Sequence, residues 1–256
     1  MFKVVRGQSK HITKTQHSSG AIKCCTTTHI IKENTVVIDQ DGIVVLWFLK
    51  NWIEAKVLEE MDAWITSEVN FQKLAKSNIK DSRGQMPTIS FGVWQRRGGS
   101  YSFYFTPATK KDIGQAFLNK FKCVWDKVAG AVEMVDKDYA TTVRSLHCLP
   151  RYFGLFSFGV LNMLSPTKLH KDPRDFRLSC SIPFGNFTDG NIWFPYLGLE
   201  VEARTSDVAL FNSKNHYHTV KRVEGNRKSM ALANHTSTLS AYRNNFGIAG
   251  VGGESR

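Results

Sequence analysis

Residues 177–183 read RLSCSIP and residues 207–212 read DVALFN, and both runs lie in the stretch that decides the fold. The chain around them has the same texture, with short β-type runs separated mostly by glycine or asparagine: YFGLFSFGVL at 152–161, NIWFP at 191–195, LGLEVEA at 197–203 and SMALA at 229–233. Several short strands at this spacing are typical of an antiparallel barrel or jelly roll.

The part of the chain before residue 140 has helical patterns. Apolar residues recur at helical spacing from Ile53, and a second apolar stripe begins at about Lys111. Two short strands around the turn Asp41-Gly42 precede them. Helices followed by many short strands predict an α+β fold, in which N-terminal helices flank a jelly-roll core, also called a double-stranded β-helix.

The same patterns predict one domain with a segment on either side. Residues 1–34 are a basic N-terminal segment, either an arm or an early β segment, because the first 32 residues carry six Lys or Arg and no Asp or Glu. Residues 35–240 form a single domain, with a helical layer at 50–135 and the jelly-roll core at 140–240. Residues 241–256 are expected to be a flexible tail.

Composition and charge limit the classes of partner. The 256 residues carry a formal net charge of +12, with a pI near 9.5. This balance favours a polyanion such as nucleic acid, although solubility alone also explains it. Five cysteines without a CxxC spacing argue against a disulfide framework or a structural zinc site and indicate a reducing compartment. No apolar run approaches membrane-spanning length, so we expect an intracellular protein without a membrane partner.

His170, Asp172 and His218 have the residue types of a metal site. Side chains two apart on a strand share a face, so His170 and Asp172 are predicted to bind one metal side by side. Two imidazoles and one carboxylate form the facial triad that holds non-haem Fe(II) with coordination positions left open. His216 competes with His218 as the second imidazole, and we prefer His218 because of its spacing to Arg227.

Arg227 and Ser229 add a predicted anion site. An arginine grips a carboxylate through two charge-assisted hydrogen bonds, and Ser229, on the same strand face, can donate another. The apolar neighbours Met230, Ala231 and Leu232 favour burial, and a buried arginine needs an anionic partner. Following the triad in this order, the two residues indicate an oxygenase that uses Fe(II), O2 and 2-oxoglutarate.

Four segments of the second half are informative together: His170-Lys-Asp-Pro-Arg-Asp175, Pro183-Phe-Gly-Asn-Phe-Thr-Asp-Gly190, Leu197-Gly-Leu199 and His218-Thr-Val-Lys-Arg-Val-Glu-Gly-Asn-Arg-Lys-Ser229. They resemble the TET/JBP family of nucleic-acid-modifying dioxygenases, and most of all its short fungal members. The resemblance covers roughly residues 35–240, and its specific part is 160–236. It implies a double-stranded β-helix, Fe(II), 2-oxoglutarate, and oxidation of 5-methylcytosine in DNA to hydroxymethyl and, over further cycles, formyl and carboxyl products.

The resemblance also places residues of this chain on functional positions. The catalytic metal positions are occupied by His170, Asp172 and His218. The 2-oxoglutarate positions are occupied by Arg227 and Ser229. By the same resemblance Asn162 lines the cosubstrate pocket, Asp175 meets the exocyclic amine of the target base, and His235 contacts that base. The chain departs from the family at Ser206, where a glycine is common, and we expect this turn difference to matter little.

A methyl group inside a duplex cannot reach a buried iron, so such an enzyme must flip its nucleotide out of the stack. The segment with Trp94, Arg96 and Arg97 combines an aromatic ring, two cations and a glycine pair, and is predicted to contact the DNA backbone. A second candidate is the cluster of Lys3, Arg6, Lys10 and Lys14. The expected partner is methylated DNA, with RNA left open, and the expected protein is a nuclear monomer.

Three alternatives stay open on the sequence. The same chemistry can remove N6-methyl from adenine in DNA or RNA, or hydroxylate a protein or a small molecule. From a different class, the chain could be a catalytically inactive nucleic-acid-binding module that keeps the fold. The intact triad of His170, Asp172 and His218 argues against that last alternative.

Overall fold

The computed structural model describes residues 2–7, 18, 28–67, 88–95, 103–147, 149–163 and 167–240. The strands of this part are β1 Lys3–Arg6, β2 His29–Ile31, β3 Thr35–Ile38, β4 Val44–Leu49, β5 Thr88–Gln95, β6 Phe103–Phe105, β7 Phe158–Met163, β8 Ser179–Asp189, β9 Ile192–Phe194, β10 Leu199–Val201, β11 Val208–Phe211, β12 Thr219–Val220 and β13 Val223–Ala233. The helices are α1 Ala55–Ser67, α2 Pro107–Lys110, α3 Asp112–Lys120, α4 Lys122–Val135 and α5 Lys137–Arg144, and a short helical segment covers 236–240.

Two sheets form the jelly-roll core that the sequence predicts. The large sheet has the strand order β1-β3-β4-β11-β8-β13-β7-β5-β6, and the small sheet has the order β12-β9-β10-β2. The long strands β8 and β13 lie at the centre of the large sheet and pair antiparallel from Val223↔Asp189 to Leu232↔Cys180. This continuous register fixes which side chains share a face, and the candidate site depends on it.

Alternation along β13 separates two environments. Met230 and Leu232 belong to the core that also contains apolar residues of α1, α3, α4 and α5. Arg227 and Ser229, at alternate positions, lie on the opposite face of the strand. The helical layer therefore covers one face of the large sheet and leaves the other face for the candidate site.

A second core lies between the two sheets. It joins Phe48 and Phe211 of the large sheet to Phe194 and Val201 of the small sheet. The rings of Phe194 and Phe211 meet edge to face, with centroids 5.3 Å apart. Phe211 also contacts His218, whose ring centroid is 4.9 Å away, so this core borders the candidate site directly.

The apolar stripe from Lys111 predicts one helix, but the structure has two, α3 and α4, separated at Phe121. Phe121 has φ −101° and ψ 25°, which are not helical values. The Trp125 indole N–H donates to the Leu118 carbonyl at 2.9 Å and so satisfies a carbonyl at the end of α3. Phe117, Phe121 and Trp125 are all buried, so the apolar stripe continues across the break. The spacing of apolar residues therefore does not predict the break between α3 and α4.

Part of the basic N-terminal segment forms strands at the edges of the two sheets. β1 pairs parallel with β3, and β2 pairs parallel with β10. Lys3 and Arg6 lie exposed in β1, whereas Lys10 and Lys14 lie outside the described residues, as does the predicted tail 241–256. In the described part of the chain, no helix combines the length and hydropathy needed to cross a bilayer.

The turn between β10 and β11 contains a residue with an unusual backbone conformation. Ser206 has a φ of 86°, a region that glycine adopts with less strain. The neighbouring Asp207 carboxylate accepts hydrogen bonds from the backbone N–H of Arg204 at 2.8 Å and of Asn51 at 2.9 Å, and pairs with Lys50 at 3.2 Å. These contacts tie the turn to the end of β4.

Candidate metal centre and cosubstrate pocket

Two backbone hydrogen bonds place the candidate histidine ligands side by side. The His170 N–H donates to the His218 carbonyl at 3.0 Å, and the His218 N–H donates to the His170 carbonyl at 2.9 Å. This antiparallel bridge lies outside the named strands and brings the two imidazole centroids to 4.4 Å. The residues are only 9% and 7% exposed, so the pair is shielded from bulk water.

Asp172 joins the histidines, although not through the strand geometry that the sequence predicts. Residues 171–172 lie outside any strand, and the loop is held where the Asp172 N–H donates to the Ser213 carbonyl at 3.0 Å. Asp172 Oδ2 lies 3.8 Å from His170 Nε2 and 3.5 Å from His218 Nε2. The three ligand atoms therefore lie within 4.8 Å of one another.

Backbone carbonyls orient both imidazoles. His170 Nδ1 lies 2.7 Å from the Lys168 carbonyl oxygen, and His218 Nδ1 lies 3.1 Å from the His216 carbonyl oxygen. A carbonyl only accepts, so each Nδ1 carries a proton, and in the neutral imidazole Nε2 then presents its lone pair to the Asp172 side. His216 thus supports the site through its backbone, and the second imidazole of the donor group is that of His218.

The donor set fits a divalent iron. Two neutral imidazoles and one carboxylate are the ligands of the facial triad that holds non-haem Fe(II). His170, Asp172 and His218 are also the one group of three or more His, Cys, Asp or Glu donors that converges within the described residues. Their tautomers are fixed by the surrounding backbone, so the site is organised for a metal in advance.

Arg227 is completely buried, and its environment calls for an anion. None of its three side-chain nitrogens has a hydrogen-bond partner among the described residues. The guanidinium carbon lies 5.5 Å from the centroid of the Phe187 ring. Burial, with a smaller contribution from Arg204, lowers the pKa of Arg227 to about 10, so the group still carries its charge at neutral pH. A carboxylate fits this guanidinium through two parallel hydrogen bonds.

Asn162 and Ser229 lie beside each other on the face of the large sheet that carries Arg227. The two residues are paired in register between β7 and β13, and the Asn162 side-chain amide donates to Ser229 Oγ at 3.5 Å. Gly190 leaves room for the arginine, because a Cβ at that position would lie 2.9 Å from Arg227 Cδ. Strand register puts Phe211 on the same face, and Phe211 connects this pocket to His218.

The structure brings Asp175 and His235 together in a second antiparallel bridge. Asp175 Oδ1 lies 3.7 Å from His235 Nε2, and Asp175 Oδ2 accepts hydrogen bonds from Ser179 Oγ and Ser213 Oγ, both at 2.7 Å. The Phe158 ring packs against His235 with centroids 4.7 Å apart. Ser213 also holds Asp172 through its carbonyl, so one residue contacts both the metal loop and the Asp175 carboxylate.

Asn234, the residue directly before His235, is anchored in the core, and sequence reasoning missed it. Its side chain is fully buried and donates to Tyr139 Oη and to the Leu155 carbonyl, both at 2.8 Å, while it accepts from the Ser157 N–H at 2.8 Å. Burial raises the pKa of Tyr139, so this phenol stays protonated. The available signal was a lone asparagine directly after the apolar end of β13.

The predicted DNA-facing segment is only partly described. Trp94 lies near the end of β5, is exposed, and pairs with Tyr104 of β6. Arg96 and Arg97 lie outside the described residues, so their contact with a DNA backbone stays a prediction. The structure therefore brings the three predicted metal ligands together, pairs Asn162 with Ser229, and pairs Asp175 with His235. It leaves the predicted backbone contacts untested.

No protein-family model matches the sequence, and no curated protein sequence matches it. A solved structure of NgTET1 in complex with 5mC DNA is similar, with a TM-score of 0.69, 18% identity, and coverage of 93% of this chain and 84% of that chain. An oxidoreductase of the 2OG-Fe(II) oxygenase family from Burkholderia pseudomallei has a TM-score of 0.46 and 16% identity, with coverage of 75% and 87%. The second similarity supports no further conclusion; the first shows that this chain and NgTET1 share a fold.

Proposed function

We propose that this protein is an Fe(II)- and 2-oxoglutarate-dependent dioxygenase that oxidises the methyl group of 5-methylcytosine in DNA. The observation that carries the proposal is the fully buried Arg227 guanidinium, which has no hydrogen-bond partner among the described residues. A buried cation without a counter-ion is costly, so the pocket favours an anionic ligand. The convergent triad of His170, Asp172 and His218 supplies the second half of the argument.

The residues fit both cofactors. His170, Asp172 and His218 would hold Fe(II), and Arg227 with Ser229 would hold the distal carboxylate of 2-oxoglutarate. When bound, Fe(II) and 2-oxoglutarate supply, together with O2, the oxidant for a C–H bond. The chain itself keeps the imidazoles oriented, shields the anion from water and holds the substrate.

Asp175 and His235 support a nucleobase as the substrate. An ionised carboxylate only accepts hydrogen bonds, and cytosine presents an exocyclic amine that donates them. The hydroxyls of Ser179 and Ser213 already hold Asp175 Oδ2 and so fix the direction of the carboxylate. His235, next to Asp175 Oδ1, can contact the same base. The fold shared with NgTET1, whose structure is a complex with 5mC DNA, supports methylcytosine as that base.

A target base in a duplex must leave the stack to reach such a site. The net charge of +12 favours binding to a phosphate backbone. In this proposal Trp94, Arg96 and Arg97 contact the DNA backbone near the flipped nucleotide, and the protein acts as a monomer in the nucleus.

The direct test is oxidation of a DNA duplex that contains one 5-methylcytosine. The protein is incubated with Fe(II), 2-oxoglutarate and air, and the nucleosides are then quantified by mass spectrometry. His218→Ala should abolish hydroxymethylcytosine, whereas His216→Ala keeps the backbone carbonyl that orients His218 and should retain more activity than His218→Ala. Equal activity of wild type and His218→Ala would contradict the metal assignment.

A second assay, with N6-methyladenine as the substrate, distinguishes methyladenine from methylcytosine as the target base. The Asp175 carboxylate could accept equally from the N6 amine of adenine, so N6-methyladenine in DNA or RNA is the second candidate substrate. Its oxidation releases formaldehyde, which methylcytosine oxidation does not. Formaldehyde from the strand with N6-methyladenine, without hydroxymethylcytosine from the strand with 5-methylcytosine, would show that methyladenine is the substrate. The protein would still be a dioxygenase.

A further inference from the structure

An exposed aromatic pair lies on the hairpin of β5 and β6. Trp94 and Tyr104 are directly opposite each other in the register of the two strands, with ring centroids 5.9 Å apart and planes at 60°. They are 36% and 39% exposed, whereas Val93 beside them is completely buried. In the described part of the chain they are the exposed large aromatic side chains; the other large exposed apolar residues are aliphatic.

A cation is held next to this pair. Lys110 Nζ lies 5.2 Å from the centroid of the Tyr104 ring, and Lys111, the next residue, is also exposed. The short helix α2 that carries Lys110 is fixed to the hairpin, because the Thr106 N–H donates to the Gly92 carbonyl at 3.0 Å and the Gly92 N–H donates to Thr109 Oγ1 at 2.5 Å. The helix that carries Lys110 therefore keeps its place relative to the hairpin.

The hairpin extends from the end of the large sheet at which His235 lies. β5 pairs with β7 as far as Gly92↔Phe158, and the Val93 N–H still donates to the Ser157 carbonyl at 3.0 Å; from Trp94 onward β5 pairs with β6 alone. Phe158 is also where β7 meets the end of β13, at Ala233, and its ring contacts His235. Trp94 and Tyr104 thus stand beyond the strand end that supports the proposed base contacts.

We infer that Trp94, Tyr104 and Lys110 form a platform that binds an unpaired nucleobase and the adjoining phosphate on the strand that carries the target base. Every base has a π-face, so aromatic side chains bind bases without sequence preference, and a neighbouring lysine pairs with the phosphate. The edge-to-face arrangement leaves a ring face for such a base. The charge complementarity favours a nucleic acid as the occupant.

This inference deepens the proposed function and rests on it for the identity of the strand. The platform should also make the protein bind unpaired strands more tightly than duplexes, independently of methylation and metal. A stacking contact responds to the presence of a base, whereas a purely electrostatic contact responds only to phosphate. That difference makes the platform testable without any turnover.

The test is binding of a fluorescently labelled 12-nucleotide oligodeoxythymidine to the metal-free protein, followed by anisotropy. Trp94→Ala and Tyr104→Ala should each weaken binding about ten-fold, and Lys110→Gln should reduce the salt dependence by about one ion. Met134→Ala is the matched control, since Met134 is an exposed apolar residue of α4 and should leave binding unchanged. Melting temperatures of all variants confirm that they are folded.

Two further probes decide the outcome. An abasic strand of the same length should bind weakly, and its affinity for Trp94→Ala should equal its affinity for the wild type. Equal losses for Trp94→Ala on the thymidine strand and the abasic strand, or unchanged binding by both aromatic variants, would overturn the platform. Because these strands carry no methylcytosine and the protein is metal-free, the result is independent of the oxidation assay, and each proposal can fail alone.

Discussion

At the scale of single residues, Arg227 is proposed to bind 2-oxoglutarate but should destabilise the ligand-free protein. Its buried guanidinium lacks a partner in the described part of the chain, so the protein without 2-oxoglutarate bears the cost of an uncompensated charge. Replacing Arg227 with Met, an apolar side chain of similar length, should raise the free energy of unfolding of the ligand-free protein by about 1–4 kcal/mol. The same variant should lose the stabilisation that millimolar 2-oxoglutarate gives to the wild type.

Thermal melting with and without 2-oxoglutarate measures both effects. Arg204→Met is a matched control, because the Arg204 guanidinium lies 5.9 Å from the same Phe187 ring but donates to the Asp189 carbonyl at 2.7 Å. This control should gain no stability and should keep its response to 2-oxoglutarate. A lower melting temperature for ligand-free Arg227→Met than for wild type would show that the guanidinium is already compensated.

Ser213 is a positioning residue between the metal loop and the proposed base contact. Ser213→Ala removes the hydroxyl that donates to Asp175 and keeps the carbonyl that binds the Asp172 N–H. A hydrogen bond to a charged group contributes about 1.5–3 kcal/mol, so kcat/KM for methylated DNA should fall roughly ten- to a hundred-fold. Iron affinity and the slow turnover of 2-oxoglutarate without DNA should stay unchanged. Loss of iron binding in this variant would instead assign Ser213 to the metal centre.

The residues of the candidate site differ in how far the sequence could predict them. The triad and Arg227 could be predicted, because the residue types of the triad match an iron site and Arg227 is a charged residue beside an apolar run. Ser213 was not, because its hydroxyl reaches Asp175 across 38 residues and serines are common in loops. Its role follows only from the folded positions of two separate segments.

At the scale of elements, the β10–β11 turn holds strain at Ser206. A non-glycine residue with a φ of 86° occupies a region that costs roughly 1 kcal/mol for a side chain with a Cβ. Ser206→Gly should therefore stabilise the protein by about 1 kcal/mol, measured as a higher midpoint in urea unfolding with an unchanged m-value. The backbone angle at Ser206 determines the sign of this expected change in stability.

The β3–β4 turn offers the reverse experiment. Gly42 has a φ of 81°, and a Cβ there would meet nothing within 4 Å, so backbone conformation alone determines the effect of Gly42→Ala. This variant should be destabilised by about 1 kcal/mol, opposite in sign to Ser206→Gly. If both variants shift the midpoint in the same direction, the strain argument for Ser206 is wrong.

At the scale of the whole molecule, the two-sheet core follows from the sequence, whereas the edges of the sheets do not. Short apolar runs separated by turns predict neighbouring antiparallel strands, as in β9 and β10. The parallel pairing of β2 with β10 joins His29 to Leu199, and no local pattern encodes a contact over that separation. The candidate metal centre also depends on long-range contacts, because His170 pairs with His218 and Asp172 binds the Ser213 carbonyl. It therefore joins segments that are distant in the sequence.

Two distant segments meet at the triad, and a bound metal should stabilise them as one unit. Residues 167–172 lead toward β8 of the large sheet, and 213–220 end in β12 of the small sheet; the Thr167 N–H donates to the Val220 carbonyl at 3.1 Å. Mn(II), used as a redox-inert substitute for Fe(II), should slow amide hydrogen exchange in both segments by about ten-fold and leave 229–233 unchanged. Asp172→Ala should remove the protection from both segments together. Protection of one segment alone would mean that the metal binds without joining the two sheets.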